Sequence, residues 1–132
     1  MASVITSRAA LGAALEHMSG PWVWGSADCC TSACNAFLAL HSIDPMACLR
    51  GTYQSFGGAR RMIASFGGFL PMCEHLAERY HLTPGSGLPG ELGVVQLNNG
   101  RHALALGTGT AWQAKSPAGT IAVPSVLRSW NA

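Results

Sequence analysis

An aspartate and two adjacent cysteines open an apolar stretch near the start of the chain. Asp28 has the type and position of a helix N-cap, which makes Cys29 and Cys30 the first two residues of a predicted helix. The helix dipole and the free amides there stabilise a thiolate, the species that attacks a carbonyl carbon. The same amides could hold the oxyanion that forms in acyl transfer. The stretch therefore predicts nucleophilic cysteine chemistry.

A cysteine nucleophile needs a base, and the chain has five histidines. Four of them lie at the ends or on the surfaces of predicted helices, where a solvated histidine needs no special role: His17, His41, His75 and His81. His102 instead opens a predicted strand, in which alternation places it on one face with Leu104 and Leu106. A histidine on an apolar strand face is more often a core residue than a catalyst, so both interpretations stay open from spacing alone.

Other interpretations of the cysteines compete with catalysis. Cysteine is among the most buried residue types, so all five could be small core residues. A metal or redox module could use Cys29, Cys30 and Cys34, although the interval from Cys30 to Cys34 is one residue longer than Cys-x-x-Cys. We predict no bound metal and no cofactor.

The first two thirds of the sequence have helical patterns. Thr6 or Ser7 can cap a first helix, and a second, largely buried helix is predicted from Asp28 to Leu40. Shorter helical segments are predicted at Met46–Leu49, Ala59–Phe66 and Pro71–Tyr80. Glycine pairs separate several of these segments.

The last third has the pattern of an antiparallel meander. Thr83–Gly90 has the composition of a loop, and Asn98-Asn99-Gly100 is a strong hairpin signal. A short helix is predicted over Pro124–Trp130. The predicted strands are Leu92–Leu97, His102–Leu106, Thr110–Lys115 and Thr120–Val123. Helices followed by such a meander indicate one α+β domain over residues 1–132.

Composition narrows the class of protein. Charged residues make up 11% of the 132 residues and apolar residues 48%, so either the surface is weakly charged over a large interior or a partner covers part of it, and the low charge favours assembly. The net charge of +2 with scattered cations argues against nucleic-acid binding. No apolar run approaches the roughly 20 residues that span a bilayer, so no membrane insertion is expected. With no secretory signal at its start and an odd number of cysteines, the chain is expected to fold in a reducing cytoplasm.

Several motifs together resemble the NlpC-type cysteine peptidases, a papain-like superfamily of cell-wall hydrolases. The motifs are Trp-x-Trp-Gly-x-x-Asp-Cys opening a helix, a Gly-x-Leu before the first strand, and His-x-x-x-x-Gly after a hairpin. In this sequence they correspond to Trp22–Cys29, Gly90–Leu92 and His102–Gly107. Two departures stand out: Cys30-Thr31 follows the first cysteine in place of Ser-Gly, and Glu91 replaces an aspartate.

The resemblance implies roles for individual residues. Cys29 would be the nucleophile, His102 the base, and Gln113, on the next strand, the polar residue that orients the imidazole. Trp24, Asp28 and Cys30 are expected to border the bound substrate. The second cysteine leaves open which of the two thiols faces His102. The implied fold is a papain-like NlpC-type one, with N-terminal helices packed on a C-terminal antiparallel meander.

A narrower resemblance covers almost the whole chain. Asp44-Pro45, Leu49–Tyr53, Gly58–Met62 and Gly67-Gly68 are similar to a subgroup of small NlpC-like proteins encoded in the tail gene clusters of bacteriophages and gene transfer agents. The resemblance implies a virion component at the tail tip or baseplate that binds other tail proteins. It would cleave peptidoglycan stem peptides in the cell envelope to assist genome delivery. The alternative is a structural tail-tip protein of the same fold without hydrolytic activity.

Overall fold

Four helices and a six-stranded antiparallel sheet form the fold in a computed structural model that describes residues 5–132. The α+β class predicted from the sequence is confirmed. Residues 1–4 lie outside the described residues. They are part of the predicted 1–132 domain and of the start of the chain, for which no secretory signal is expected. The helices are α1 Arg8–Leu15, α2 Cys29–His41, α3 Phe56–Ser65 and α4 Phe69–Arg79, with a short 3-10 turn at Glu16–Met18.

The strands form one sheet in the order β1-β6-β2-β3-β4-β5. Their bounds are β1 Thr83–Pro84, β2 Leu92–Gln96, β3 His102–Gly107, β4 Trp112–Ser116, β5 Gly119–Val123 and β6 Arg128–Asn131. The predicted meander is present from β2 to β5. Its first hairpin pairs Gln96 with His102 and turns through Asn98-Asn99-Gly100, so the turn fixes His102 at the very start of β3.

The chain ends in a strand, so the predicted helix at Pro124–Trp130 is wrong. Strand β2 is buried from Leu92 to Val95 and needs a hydrogen-bonding neighbour on each side. Strand β3 occupies one side, and β6 fills the other by placing Trp130 opposite Leu92. The backbone amide of Leu127 also donates to the Val94 carbonyl at 2.8 Å. Long-range pairing therefore overrides the local helical pattern.

Two smaller differences concern segments between the elements. Residues Met46–Leu49 form consecutive turns instead of the predicted helix. Asp44 holds these turns, because its carboxylate accepts from the Met46 amide at 3.0 Å and pairs with the Arg50 guanidinium at 2.7 Å. The predicted loop Thr83–Gly90 contains the two-residue strand β1, which pairs with the end of β6.

Helix α2 is central, as the sequence predicts. It lies across β2, β3 and β4, and its small residues Ala33 and Cys34 are fully buried. Phe37 of α2 shares one hydrophobic core with Leu104 and Leu106 of β3. Because α2 is fixed against these strands, its first residue is held near the end of the sheet at which β3 begins.

A buried glutamate ties the loop before β2 to β6. The Glu91 carboxylate is fully buried and accepts from the Ser86 amide at 3.0 Å and the Gly87 amide at 2.9 Å. It also accepts from the Ser129 hydroxyl at 3.1 Å and from the side-chain amide of Asn131 at 3.2 Å. Burial acts to raise the pKa of Glu91, but these hydrogen bonds outweigh it and hold the pKa below its usual value.

Within residues 5–132, no helix is both long enough and apolar enough to cross a membrane.

Candidate active site

Asp28 caps helix α2 and places Cys29 as its first residue. One carboxylate oxygen accepts from the backbone amides of Cys30 at 3.0 Å and Thr31 at 2.9 Å. The Thr31 hydroxyl accepts from the Asp28 amide at 2.9 Å, which completes a capping box. The N-cap predicted from the sequence is confirmed, and it gives Cys29 the favourable end of the helix dipole.

The second carboxylate oxygen of Asp28 joins the helix to two distant parts of the chain. It accepts from the Gly25 amide at 2.9 Å and from the Tyr53 hydroxyl at 2.6 Å. Asp28 is only 1% exposed, and both oxygens are occupied by internal donors. Asp28 therefore borders the cavity without offering a free acceptor. Its role is to position Cys29.

Gly25 is required by the turn that precedes the helix. Its φ of +89° lies in the left-handed region, and a side chain there would overlap the Tyr53 carbonyl oxygen. The turn closes through paired backbone bonds between Val23 and Ala27. The glycine of the Trp-Gly-x-x-Asp motif thus lets the turn approach Tyr53 closely enough for the Asp28 contacts.

Cys29 is the more accessible of the two adjacent thiols. It is partly buried, whereas Cys30 is 5% exposed and lies in the hydrophobic core. The two Sγ atoms are 3.8 Å apart. The hydrogen bond with Cys29, together with burial, raises the pKa of Cys30 well above its usual value. Cys30 also lines the cavity, but its burial leaves Cys29 as the more accessible of the two adjacent thiols.

Two further cysteines are buried thiols of the core. Burial raises the pKa of Cys34 and of Cys73, so both stay protonated at neutral pH. In residues 5–132, no three His, Cys, Asp or Glu side chains lie close enough together to hold a metal ion. The alternative of a metal module built on Cys29, Cys30 and Cys34 therefore has no matching donor set in the described part of the chain.

Cys29 and His102 line the same cavity, which has a volume of about 610 Å³. His102 is exposed at the start of β3, and its ring centroid lies 6.1 Å from that of Phe69 on α4. We call this space the Cys29–His102 cavity; its walls also include Trp22, Trp24, Phe56 and Arg101. A single ligand in this cavity could therefore contact both the Cys29 thiol and the His102 imidazole.

Trp24 stands in the cavity wall within an aromatic group. Its ring lies 5.0 Å from that of Trp22 in an edge-on arrangement and 5.5 Å from that of Phe56. The structure thus brings together five of the six residues expected from the resemblance: Trp24, Asp28, Cys29, Cys30 and His102.

Gln113 does not belong to this site, so its predicted role is wrong. It pairs with Leu106, four residues along β3 from His102, a separation of about 13 Å at the usual strand rise. That distance is too long for Gln113 to orient the imidazole. Among the described residues, no side chain or backbone group forms a hydrogen bond with the His102 ring, and Phe69 is its aromatic neighbour.

Sequence reasoning missed Lys115 and Tyr53. Lys115 lines the cavity two residues after Gln113, is 2% exposed, and donates to the carbonyls of Ser19 at 3.4 Å and Pro21 at 3.2 Å. A fully buried lysine is rare, but the sequence does not reveal that Lys115 is buried. Tyr53 lies in the Leu49–Tyr53 segment of the resemblance, but nothing local connects it with Asp28.

Among known proteins, the chain matches the model of one protein family. No curated protein and no solved structure was found to match the chain. The model of a family described as a domain of unknown function (DUF6950) matches residues 5–132. This match includes the turn at Trp22, the start of α2 and all six strands, so every element of the candidate site lies within it. The chain therefore belongs to the DUF6950 family.

Proposed function

We propose that this protein is a cysteine peptidase or amidase that cleaves the stem peptides of peptidoglycan. The observation that carries the proposal is that Cys29, at the start of α2, and His102, at the start of β3, line one cavity of about 610 Å³. The motifs that resemble the NlpC-type peptidases support it, because they include both residues. A papain-like NlpC-type fold is part of the same proposal and is supported by the packing of α2 on an antiparallel sheet.

The proposed reaction begins with attack by the Cys29 sulfur on the amide carbon. His102 accepts the thiol proton and returns it to the leaving amine, which leaves an acyl thioester on Cys29. His102 then activates water, and hydrolysis of the thioester releases the acid and the free thiol. Each proton removed from a nucleophile is thus returned to a leaving group.

The helix start stabilises the charges that develop. The amides of Cys30 and Thr31 are bound to Asp28, so the Cys29 amide is the donor left for the oxyanion. The helix dipole favours the thiolate of Cys29 before attack. Packing of the His102 ring against Phe69 restrains the imidazole in place of a polar residue.

We propose further that the protein works within a phage tail tip or baseplate and acts in the cell envelope. The low charged content of 11% supports a covered surface. The edge strand β5 supports it too, since Ile121 is 38% exposed there and the outer side of β5 carries no further strand in the described sheet. Partner proteins could cover this edge and leave the Cys29–His102 cavity open.

A direct test compares purified wild-type protein with Cys29→Ala and His102→Ala on isolated cell walls. The proposal expects new amino termini from wild type and a loss of at least about a hundredfold in either variant. Cys48→Ala is the matched control, because Cys48 is also partly buried but does not line the cavity. Release by the Cys29 variant at the wild-type rate would contradict the proposal.

A second candidate is a structural tail-tip protein of the same fold. It is favoured by one observation: the described residues provide no hydrogen bond that orients His102. This candidate expects no new amino termini from any cell wall, together with incorporation into tails. The same digestion experiment therefore separates the two.

A further inference from the structure

The Cys29–His102 cavity has an unbalanced set of charges. Three cationic side chains line it, Arg60, Arg101 and Lys115, and the sole carboxylate among its described lining residues is Asp28. That carboxylate already accepts hydrogen bonds from donors within the protein, and Asp28 is 1% exposed. A ligand in the cavity therefore meets positive groups without a negative group that is available to it.

The Lys115 ammonium forms its hydrogen bonds within the protein. Lys115 is 2% exposed, and its ammonium donates to the carbonyls of Ser19 and Pro21. These bonds hold the segment that leads into Trp22. Lys115 thus contributes charge to the cavity, whereas contact with a ligand is left to the two arginines.

Arg60 and Arg101 converge on one aromatic ring from different parts of the chain. Arg60 belongs to α3 and Arg101 to the β2–β3 hairpin, and their guanidinium carbons lie 5.6 Å and 4.9 Å from the centroid of Phe56. Neither guanidinium has an acidic partner in the described part of the chain. Stacking on a ring uses the face of a guanidinium and leaves its N–H edge for a carboxylate.

Trp22 adds a further donor without a partner. Its indole Nε1 is buried and has no hydrogen-bond acceptor among the described residues, although the side chain lines the cavity. A buried donor left unpaired is destabilising, and an acceptor on a ligand would remove that cost. The cavity is thus rich in donors and poor in acceptors.

We propose that the cavity selects peptides bearing a free carboxylate close to the amide that is cleaved, with Arg60 and Arg101 as the groups that bind this carboxylate. The inference rests on the proposed function and names the substrate class of that site. Both guanidiniums lack an acidic partner among the described residues, so a carboxylate on the ligand can accept bidentate, charge-assisted hydrogen bonds from them. A peptide whose carboxylate is amidated cannot form these bonds to an anion.

The test measures binding separately from hydrolysis. Two synthetic peptides, alanyl-γ-D-glutamyl-lysine with the lysine carboxyl blocked as its amide and the glutamate α-carboxyl either free or amidated, are titrated calorimetrically into the Cys29→Ala protein. We expect the acid to bind about tenfold more tightly than the amide, the effect of charge-assisted bonds at a partly solvated site. The preference should weaken as salt is added, whereas binding of the amide should not.

Matched variants identify the groups responsible. Arg60→Gln combined with Arg101→Gln should abolish the preference, while Arg79→Gln should keep it, because Arg79 is stacked on Tyr80 outside the cavity. Equal affinity for acid and amide, no binding of either peptide, or a preference retained in the double variant would overturn the inference. If the intact protein releases no amino termini from walls but the acid preference is present, hydrolysis is contradicted and the carboxylate site is supported.

Discussion

At the scale of single residues, the five cysteines differ in burial and in access to the cavity. Cys29 is partly buried and lines the cavity, whereas Cys30, Cys34 and Cys73 are buried with raised pKa values. A limiting amount of iodoacetamide near neutral pH should therefore label Cys29 before those three, because alkylation needs an accessible thiolate. Peptide mapping by mass spectrometry gives the order. Labelling of Cys30 first, or equal slow labelling of all sites, would contradict this assignment.

Tyr53 should support the nucleophile through Asp28. Tyr53→Phe removes the 2.6 Å bond to a buried carboxylate, so we expect a loss of about 1–3 kcal/mol in the free energy of unfolding. The Cys29 alkylation rate should fall as well, because the less neutralised Asp28 charge disfavours the thiolate.

Tyr80→Phe is the matched control for Tyr53→Phe. The Tyr80 hydroxyl accepts from the Cys48 amide at 3.0 Å, away from the cavity. The Tyr80→Phe substitution should lower the free energy of unfolding without slowing Cys29 alkylation. Equal effects of the two substitutions on the alkylation rate, with urea denaturation measured in parallel, would show that the Tyr53–Asp28 bond has no special role.

Local signals at the residue scale predict the cap but not its distant partners. Asp28 and Cys29 could be placed from the sequence because an N-cap is defined by its immediate neighbours. Tyr53 could not, since its bond spans 25 residues. The error at Gln113 arises from register: the pairing of β3 with β4 places Gln113 opposite Leu106, and the position of Gln113 in the sequence does not by itself specify that pairing.

At the scale of elements, Glu91 joins the β1–β2 loop to β6. Since its pKa is depressed in the folded protein, its contribution to stability is fully present above the unfolded value of about 4.3 and is lost as pH falls through the lower folded value. Glu91→Gln should lower the free energy of unfolding by about 1–3 kcal/mol at pH 7, because one acceptor oxygen becomes a donor that faces either the Ser86 or the Gly87 amide, each of which donates to a different oxygen.

The same substitution should flatten the dependence of stability on pH below about 4.3. Glu78→Gln is the control, as Glu78 is exposed on α4 and forms no ion pair in the described structure. Urea denaturation across that pH range gives both quantities. If Glu91→Gln retains the wild-type slope, the buried carboxylate is not a source of the acid sensitivity.

The elements themselves were predictable where their patterns are local. The hairpin at Asn98-Asn99-Gly100, the long α2 and the Ser7 cap of α1 are all present, because turn chemistry, periodicity and capping act within a few residues. The strand at Arg128–Asn131 was not predictable in this way. It exists because the buried strand β2 requires a second neighbour, which is a property of the whole sheet.

At the scale of the whole molecule, an open sheet edge and a low surface charge lead to an expectation about assembly. Sedimentation of phage particles and infected-cell lysates should recover the protein with tails, since we propose that partners cover the apolar surface while the cavity stays open. A charged substitution on the exposed edge strand, Ile121→Lys, should reduce incorporation and leave hydrolysis of isolated walls unchanged. Recovery of wild type as a free monomer alone would defeat the assembly proposal and leave the catalytic one standing.

The most direct test of the central claim is to trap the covalent intermediate. Wild-type protein mixed with soluble stem peptides and quenched in acid within the first turnover should carry an acyl thioester on Cys29, located by peptide mapping and mass spectrometry. Cys29→Ala should carry none. His102→Ala should form the adduct far more slowly, because attack then lacks a base. An adduct confined to another cysteine, or amide cleavage without any adduct on Cys29, would contradict the assignment of Cys29 and His102 as nucleophile and base.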